Sequence, residues 1–335
     1  MTSSNEGVTA SRTTVPLPTL SCTSDSVKLL VTLLSCLTHS KRDQRVRCDA
    51  DRRGLLFTAH SKGKSLQVKT SIGRELFESY KFGDFVHRVE GTRQEDDDDE
   101  EDDVQLSFAI NVILLIECLS MFGPSALATT SLRLTYEPEV ALESLSASLL
   151  LVVEESGVMC ECSIQVLEHE DGDISQLEFE SAFEQSAVVA RCIMQSEPLR
   201  DAFAELYDLP SAANVTIAMA DENIRDPRDR SEPKCLSLSA TSETGSCEID
   251  FSPTSTAFIE FSCAPATNGD YTGSCTATFH VAVLQQALKA LAYSNETYLR
   301  MNTQGFLSIQ HMIESGTGDK AFVDALISPE DTSSS

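Results

Sequence analysis

The spacing of apolar positions changes within residues 104–125. Across residues 104–110 the apolar residues occupy every second position, which is typical of a strand with one buried face. From Asn111 onward they recur at three- and four-residue spacings until Gly123 and Pro124. We therefore predict a strand that leads directly into a short helix, begun by Asn111 and ended by the glycine and proline.

The same strand-helix unit recurs three more times along the chain. The other predicted pairs are 19–23 with 26–37, 176–181 with 187–206, and 275–281 with 282–293. The four predicted helices begin near residues 27, 111, 188 and 282, which is a repeat of about 80 to 95 residues. This repeat predicts one domain plan used twice, with each domain itself a doubled half.

Shorter alternating runs and turn-forming residues fill the rest of the chain. Further strands are predicted at 131–136, 148–154 and 158–167, and turns between strands at 51–54 and 302–305. The polar sequence HEDGDI at 169–174 marks the predicted domain boundary. The predicted division is a disordered tail at 1–15, a first domain at 16–167, a connector at 168–176, a second domain at 177–327 and a disordered tail at 328–335.

The net charge limits the kind of surface that this chain can have. Its 335 residues are 41% hydrophobic, which is enough for two folded cores, and the formal net charge is -27. The run EDDDDEEDD at 95–103 supplies nine of the negative charges, so the remaining surface is acidic too. This balance argues against a protein that coats nucleic acid through its surface field. Any basic surface must be local.

The acidic run lies in a predicted loop between two strands, and two interpretations of it stay open. The first is a flexible, solvated insertion, because like charges at this density repel one another. The second is a decoy that competes with DNA for basic partners, which would make the protein an adaptor.

The termini and the cysteines indicate an intracellular protein. The N-terminal sequence lacks the basic start and apolar core of a signal peptide. Asn111 and Glu117 interrupt the longest apolar stretch before the roughly 18 residues that a membrane span requires. Eleven cysteines, scattered over predicted strands and helices, fit reduced thiols better than a disulfide framework. We expect a soluble protein of the cytosol or nucleus with no membrane partner.

The sequence carries no motif that predicts catalysis, a metal site or a cofactor site. The tripeptide GKS at 63–65 has Thr58 where a phosphate-binding loop needs its first glycine. Cys160 and Cys162 share one face of a predicted strand and are expected to be buried thiols. The abundant carboxylates leave one alternative, a metal-dependent 3'-5' exodeoxyribonuclease, since such an enzyme needs several carboxylates to hold two metal ions. We expect a protein that is not an enzyme and binds neither metal nor cofactor.

A few basic residues fall on or beside three of the predicted helices. They are either ordinary solvated helix faces or parts of one surface on which phosphates contact them together. The second helix departs from this pattern, because Glu117 is its only charged residue. The candidates are Lys28 on the first helix, Lys41 and Arg42 just after it, Arg191 and Arg200 on the third helix, and Lys289 on the fourth.

Four segments agree in sequence and spacing with one known family. They are INVILLIECLSMFG at 110–123, LLLVVEESGVMCECSI at 149–164, CIMQSEPLRDAFAEL at 192–206 and NTQGFLSIQHMI at 302–313. These segments closely resemble the Rad-one family, whose members are subunits of the nine-one-one DNA-damage checkpoint clamp. The likeness extends over most of residues 17–328.

The resemblance implies a fold and a function. The implied fold is the α+β two-domain DNA sliding-clamp fold of proliferating cell nuclear antigen, with helices on the concave side and sheets outside. The implied function is that of one subunit in a heterotrimeric ring, formed with Rad-nine-like and Hus-one-like subunits. A checkpoint clamp loader would close this ring around double-stranded DNA in the nucleus, where it would serve as a platform for checkpoint and repair proteins.

The resemblance also implies roles for particular residues. Arg191 occupies a position where the family tends to carry a basic helix residue, while Lys28, Arg200 and Lys289 are assigned by helix phasing. The connector would cover a hydrophobic groove that partner peptides use. Two loops, 95–103 and 137–147, are longer than the resemblance leads us to expect. The connector residues are His169, Glu170, Asp171, Gly172, Asp173 and Ile174.

Overall fold

The computed structural model describes the chain in ten segments, and the secondary structure below refers to them. They are residues 18–40, 43–61, 63, 65–84, 106–138, 146–167, 174–221, 233–265, 273–316 and 318–330. The elements of the N-terminal half are β1 (Pro18–Ser24), α1 (Lys28–Leu37), β2 (Arg45–Asp51), β3 (Gly54–His60), β4 (Leu66–Gly73), a 3-10 helix (Arg74–Leu76), β5 (Ser79–Asp84), β6 (Leu106–Asn111), α2 (Val112–Leu119), β7 (Ser131–Glu137), β8 (Ser148–Glu155) and β9 (Val158–Gln165).

The C-terminal half follows α3 (Ile174–Glu184) and repeats much of this order. Its elements are β10 (Val188–Gln195), α4 (Ser196–Tyr207), β11 (Asn214–Ala220), β12 (Leu236–Ser242), β13 (Gly245–Phe251), β14 (Phe258–Cys263), β15 (Ser274–His280), α5 (Val281–Ala287), a 3-10 helix (Lys289–Ala292), β16 (Glu296–Asn302), β17 (Leu307–Glu314) and β18 (Lys320–Ile327).

Helix α2 begins where the change of period predicts it. The side-chain oxygen of Asn111 accepts hydrogen bonds from the backbone nitrogens of Ile113 (3.0 Å) and Leu114 (3.3 Å). These bonds satisfy two donors that have no partner inside the first turn of a helix. The chain then turns at Gly123, whose φ of 88° lies in the left-handed region that favours glycine. The predicted strand-helix unit is therefore confirmed.

The third predicted unit is wrong in its secondary structure. Residues 176–181 belong to α3 and not to a strand, and residues 188–195 form β10 and not the start of a helix. Along β10 the buried Ala190, Cys192 and Met194 alternate with more exposed neighbours, which is the period of a strand. Helix α4 begins only at Ser196, and Pro198 lies in its first turn, where a missing N–H is tolerated.

This correction makes the internal repeat more regular. Helices α1, α2, α4 and α5 begin at residues 28, 112, 196 and 281, so consecutive starts are 84, 84 and 85 residues apart. Each follows a strand by at most a few residues. The fourfold strand-helix plan expected from the sequence is present, with its third member shifted toward the C-terminus.

The two halves have the same sheet topology, and the strand pairings are antiparallel. The N-terminal half has the strand orders β5-β1-β7-β8-β9 and β4-β3-β2-β6, and the C-terminal half has β14-β10-β16-β17-β18 and β13-β12-β11-β15. Strand β18 pairs with β4, with Val323 opposite Thr70 and Ala325 opposite Val68. This junction fuses one sheet of each half into a nine-stranded sheet.

Strands β9 and β13 are the counterparts of β18 and β4, and each is the last strand of its own sheet. The inward side chains differ in burial between the junction and these two edges. Val323 on β18 and Val68 on β4 are each 1% exposed. By contrast, Cys162 on β9 and Ile249 on β13 are only half-buried. Strands β9 and β13 therefore have the same alternation of inward side chains as the junction, but within the described chain no further strand pairs with them and covers these side chains.

Helices α1, α2, α4 and α5 and the second 3-10 helix form one continuous layer. Helix α1 packs against α2, and the 3-10 helix Lys289–Ala292 contacts both α1 and α4. Helix α5 packs against β18 and β4, so the layer also crosses the junction between the halves. Its core-facing side chains include Leu33, Leu34 and Leu284, all at most 1% exposed. We call this set of α1, α2, α4, α5 and the 3-10 helix Lys289–Ala292 the helical layer.

Helix α3 lies on the other face of the nine-stranded sheet. Along β4 the core-facing Val68 alternates with Gln67 and Lys69, and these two side chains contact Glu180 of α3.

No helix of the described chain is both long and apolar enough to cross a lipid bilayer.

Candidate nucleic-acid-facing surface

The structure places three of the six predicted basic residues on the helical layer. Lys28 is the first residue of α1, Arg200 lies in α4, and Lys289 begins a 3-10 helix; all three side chains are exposed. Lys41 and Arg42 lie outside the described residues. The helical layer thus brings together cations from both halves of the chain, as helix phasing predicts for these three.

Arg191 is not on a helix, and this part of the prediction is wrong. It lies in β10, between the buried Ala190 and Cys192, whose side chains point toward the core. Because successive side chains of a strand point to opposite faces, Arg191 projects from the face that α4 does not cover. Arg191 therefore belongs to the outer surface of the nine-stranded sheet.

The guanidinium of Arg200 is engaged by carboxylates of its own helix. Its Nη2 lies 3.6 Å from Glu197 Oε1 and 3.4 Å from Asp201 Oδ1. Glu205 and Asp208 are exposed one and two turns further along the same side. Exposed ion pairs of this kind stabilise a helix little, but they reduce the positive field that Arg200 presents to a phosphate. The exposed face of α4 is acidic.

Lys289 connects the two halves of the helical layer. Its Nζ donates to the backbone carbonyl oxygen of Thr38 (3.1 Å) and to Thr38 Oγ1 (2.5 Å). A cation at this position also complements the negative end of the α1 dipole. Burial lowers the pKa of Lys289, while the nearby Cys36 thiol acts in the opposite direction. Lys289 therefore has a structural contact in addition to its exposure on the predicted surface.

Helix α2 and the turn after it, which contains Met121, present an apolar face with one carboxylate. Leu114 is 40% exposed and Met121 is 48% exposed, and Glu117 lies between them.

Of the three cations that the structure places on the helical layer, Lys28 alone makes no side-chain hydrogen bond or ion pair with the described residues. A duplex beside this layer would meet few free cations and several carboxylates.

The predicted connector is described only at its end. Residues 169–173 lie outside the described part of the chain, and Ile174 is the first residue of α3. Further along α3, the rings of Phe179 and Phe306 meet edge to face with centroids 5.7 Å apart. The segment that follows the connector is therefore a helix docked on the outer sheet.

Polar contacts also hold α3 on the sheet. Glu180 Oε1 accepts from Lys69 Nζ (2.5 Å) and from Gln67 Nε2 (2.8 Å). Burial raises the pKa of Glu180, but the hydrogen bonds from Lys69 and Gln67 outweigh it, so the net shift is downward. Between α3 and the sheet lies a cavity of about 260 Å³, lined in part by Phe183, Arg300 and Asp324. The docked helix covers this part of the sheet without filling it.

Two further predicted features fall largely outside what the structure describes. The acidic run 95–103 is not among the described residues, and neither are residues 139–145 of the predicted extra loop between β7 and β8. Within the described segments, no three His, Cys, Asp or Glu side chains are grouped so that they could hold a metal ion.

The sequence analysis did not predict the contacts of Arg200 and Lys289, for two different reasons. The contact of Arg200 with Glu197 could have been predicted, because residues three positions apart lie side by side on a helix. The contact between Lys289 and Thr38 joins residues that are 251 positions apart, and no local pattern indicates it.

The chain is similar to a family of repair proteins over most of its length. A model of the family described as repair protein Rad1/Rec1/Rad17 matches residues 19–313. The chain is 27% identical to the cell cycle checkpoint protein RAD1 of Homo sapiens over 309 residues, which are 92% of this chain and 90% of that protein. The RAD1 of Mus musculus is also 27% identical, over 92% of this chain and 91% of its own length.

Two solved structures of PCNA proteins have the same fold. A chain of the PCNA2-PCNA3 complex from Sulfolobus tokodaii matches with a TM-score of 0.60 at 13% identity, covering 92% of this chain and 99% of that one. PCNA from Thermococcus kodakaraensis matches with a TM-score of 0.61 at 13% identity, covering 93% and 100%. The predicted resemblance and the predicted clamp fold are both confirmed.

Proposed function

Because the chain belongs to the Rad1/Rec1/Rad17 family of repair proteins, we propose that it is a noncatalytic subunit of a heterotrimeric ring loaded around DNA at damage sites. Family and fold together support a clamp subunit of the DNA-damage response. The finer proposal is that the ring also contains one Rad-nine-like and one Hus-one-like subunit. In the nucleus it would act as a platform for checkpoint signalling and repair proteins.

The junction between β18 and β4 is the observation that carries the proposal. It shows how one half of this chain joins the next, by antiparallel pairing of two sheet edges. The equivalent strands β9 and β13 end their sheets, and the inward side chains of Cys162 and Ile249 are only half-buried. Pairing of β9 with the β13-like edge of a neighbouring subunit would repeat the internal junction. A head-to-tail contact of this kind forms a ring when its rotation closes.

The charges of the helical layer favour a ring that encircles DNA over a surface that binds DNA tightly. Arg200 and Lys289 already have partners within the chain, and α4 adds carboxylates to the same side. Phosphate contacts from this subunit would therefore be weak. A closed ring does not need strong contacts to remain on DNA, because it leaves only when it opens or reaches an end. We propose that the helical layer faces the enclosed duplex and allows the ring to slide.

The assembly test places a large charged side chain at each free edge. Cys162→Arg on β9 and Ile249→Arg on β13 should each prevent one of two contacts when the chain is coexpressed with Rad-nine-like and Hus-one-like subunits. Gln285→Arg is the matched control, because Gln285 is exposed on α5 and away from both edges. Each single edge variant should keep one contact and still copurify with one partner, whereas the double variant Cys162→Arg/Ile249→Arg should leave this chain out of the complex. Mass photometry should therefore find trimers with the control and only a dimer of the other two subunits with the double variant, and trimers that contain the double variant would contradict the proposed assembly.

A further inference from the structure

The outer face of the nine-stranded sheet carries a row of four hydrogen-bond donors. Arg191 on β10 is directly opposite Ser262 on β14 and Arg300 on β16, and Arg300 is directly opposite Ser308 on β17. Directly opposite residues of antiparallel strands project from the same face with close Cβ atoms. We call these four residues the donor row. It contains no carboxylate, although the chain has 52 acidic and 25 basic residues.

The two arginines of the donor row are neighbours of like charge. Like charges at directly opposite positions destabilise a sheet unless something compensates them. Arg191 is exposed and makes no hydrogen bond or ion pair with the described residues. The register therefore places two arginines side by side with no carboxylate of the donor row to neutralise them, while the charge of Asp324 interacts with Arg300 from the cavity.

The guanidinium of Arg300 is fixed in place but only partly satisfied. Its Cζ lies 5.3 Å from the ring centroid of Tyr298 and 5.6 Å from that of Phe183 in α3. Its Nη2 donates to Ser308 Oγ over 2.9 Å, whereas its buried Nε has no hydrogen-bond partner among the described residues. Aromatic rings on a guanidinium orient its planar fork, which suits it to bind a multi-oxygen anion.

The surroundings limit the size of the anion that could bind. Glu260 is opposite Ile193 in the next row of the same sheet face, and Glu184 and Asp324 line the cavity beside Arg300. A long polyanion such as duplex DNA would meet these carboxylates and the acidic surface beyond them. One compact anionic group could contact the donor row and avoid them.

We propose that the guanidinium groups of Arg191 and Arg300 bind the phosphate of a single phosphorylated side chain of a partner protein, with Ser262 beside Arg191 and Ser308 holding Arg300 in place. The phosphate accepts hydrogen bonds from the two guanidinium groups, and α3 forms one wall of the site. This site lies on the opposite face from the helical layer. It goes beyond the proposed encirclement of DNA and does not depend on ring assembly.

The test uses three degenerate, fluorescent peptide libraries that differ at one fixed central position. This position is phosphoserine, serine or glutamate, and binding to the full chain is followed by fluorescence anisotropy at physiological ionic strength. The phosphoserine library should bind and the serine library should not. Arg191→Ala should weaken binding of the phosphoserine library about tenfold, because hydrogen bonds to a charged group are among the stronger ones.

The chain offers a matched control for Arg191. Arg133 is also an exposed arginine on a strand, but it lies beside a cavity whose lining includes Asp25, Glu78 and Glu154. Arg133→Ala should leave phosphopeptide binding unchanged. Arg300→Lys, which keeps the charge and removes the fork, should weaken binding while circular dichroism shows a folded chain.

Three results would overturn the proposal. Equal binding of the serine and phosphoserine libraries, or equal affinity of the Arg191→Ala variant, would remove the phosphate site. Equal binding of the glutamate library would assign the donor row to carboxylates. Competition by a duplex oligonucleotide that depends on Arg191 would assign it to nucleic acid. Trimer assembly by the same preparations separates failure of this site from failure of the proposed ring.

Discussion

Lys289 in the C-terminal half donates from Nζ to the backbone carbonyl oxygen of Thr38, 3.1 Å away at the end of α1. Thr38 directly follows the last residue of α1, where carbonyl oxygens have no partner within the helix. A residue selected as a candidate DNA contact therefore also fastens one half of the helical layer to the other. Its two roles can be separated, because the structural one is present in the isolated chain.

Replacing Lys289 should destabilise the isolated chain. Lys289→Met removes the hydrogen bonds to Thr38 and the cation at the end of α1, and we expect a loss of about 1 kcal/mol in the free energy of unfolding. Urea denaturation measures it. Lys28→Met is the matched control and should unfold like the parent chain, since the Lys28 side chain makes no hydrogen bond or ion pair with the described residues. Equal stability of the two variants would show that the contact has no structural role.

The carboxylates of α4 should weaken DNA binding by the assembled ring. In the double variant Glu205→Gln and Asp208→Asn, two charges are removed from the exposed face without a change of shape. We expect binding to duplex DNA to become about two- to fivefold tighter near 0.1 M salt, because repulsion of phosphates decreases. Anisotropy titrations over a range of salt concentrations measure this. Glu260→Gln, on the outer face, is the control, and an equal gain from it would show that α4 does not face the DNA.

His311 should make stability depend on pH. It is fully buried, it contacts Thr297 Oγ1 (3.1 Å) and the carbonyl oxygen of Ala287 (3.3 Å), and burial lowers its pKa to about 4. The unfolded state binds a proton below its ordinary pKa of 6.5, whereas the folded state does not until about 4. Stability from the neutral imidazole is therefore present above pH 6.5 and is lost as pH falls toward 4.

The measurement compares urea unfolding of the parent chain and of His311→Gln at pH 7 and pH 5. Between these values His311 should account for about 2 kcal/mol of the decrease in stability. The variant lacks this titration and should show a correspondingly smaller decrease. Parallel pH profiles for the two chains would contradict the assigned shift.

The cap of α2 should contribute measurably to stability. Asn111→Ala removes the oxygen that accepts from Ile113 and Leu114, and loss of such a cap costs about 1 kcal/mol. Asn111→Asp keeps an accepting oxygen at the same place and should retain most of the stability. Thermal or urea unfolding distinguishes the two variants. If alanine and aspartate had equal effects, the observed hydrogen bonds would not be what stabilises the helix start.

The spacing of apolar residues predicted the secondary structure correctly where the strand pattern and the helix pattern were clearly separated in the sequence. At residues 104–125 the period changes at Asn111, and the structure changes from strand to helix there. Near residue 187 two strong patterns adjoin, because the strand of Ala190, Cys192 and Met194 runs directly into the helix that begins at Ser196. Taking both as one helix placed Arg191 on the wrong face. Pro198 could have marked the true start.

The charge of the candidate surface was less predictable than its position. Helix phasing identified Lys28, Arg200 and Lys289 as exposed, and they are. Whether an exposed cation is free to bind phosphate depends on its neighbours in the folded chain. The partner of Lys289 comes from the other half, and the donor row needs the register of four strands. Local sequence patterns do not determine how four strands are aligned with one another. The donor row could therefore not be predicted from the sequence.

Retention on circular DNA distinguishes a ring closed around the duplex from a protein that binds its surface. The chain, the proposed Rad-nine-like and Hus-one-like partners and a checkpoint clamp loader are incubated with nicked circular DNA and washed in high salt, and the bound subunits are quantified before and after the circle is cut once. We predict that the three subunits stay bound to the intact circle in equal amounts and leave after cutting. Retention that persists on the cut DNA, or retention of this chain alone, would show that the protein does not act as one subunit of a ring closed around DNA.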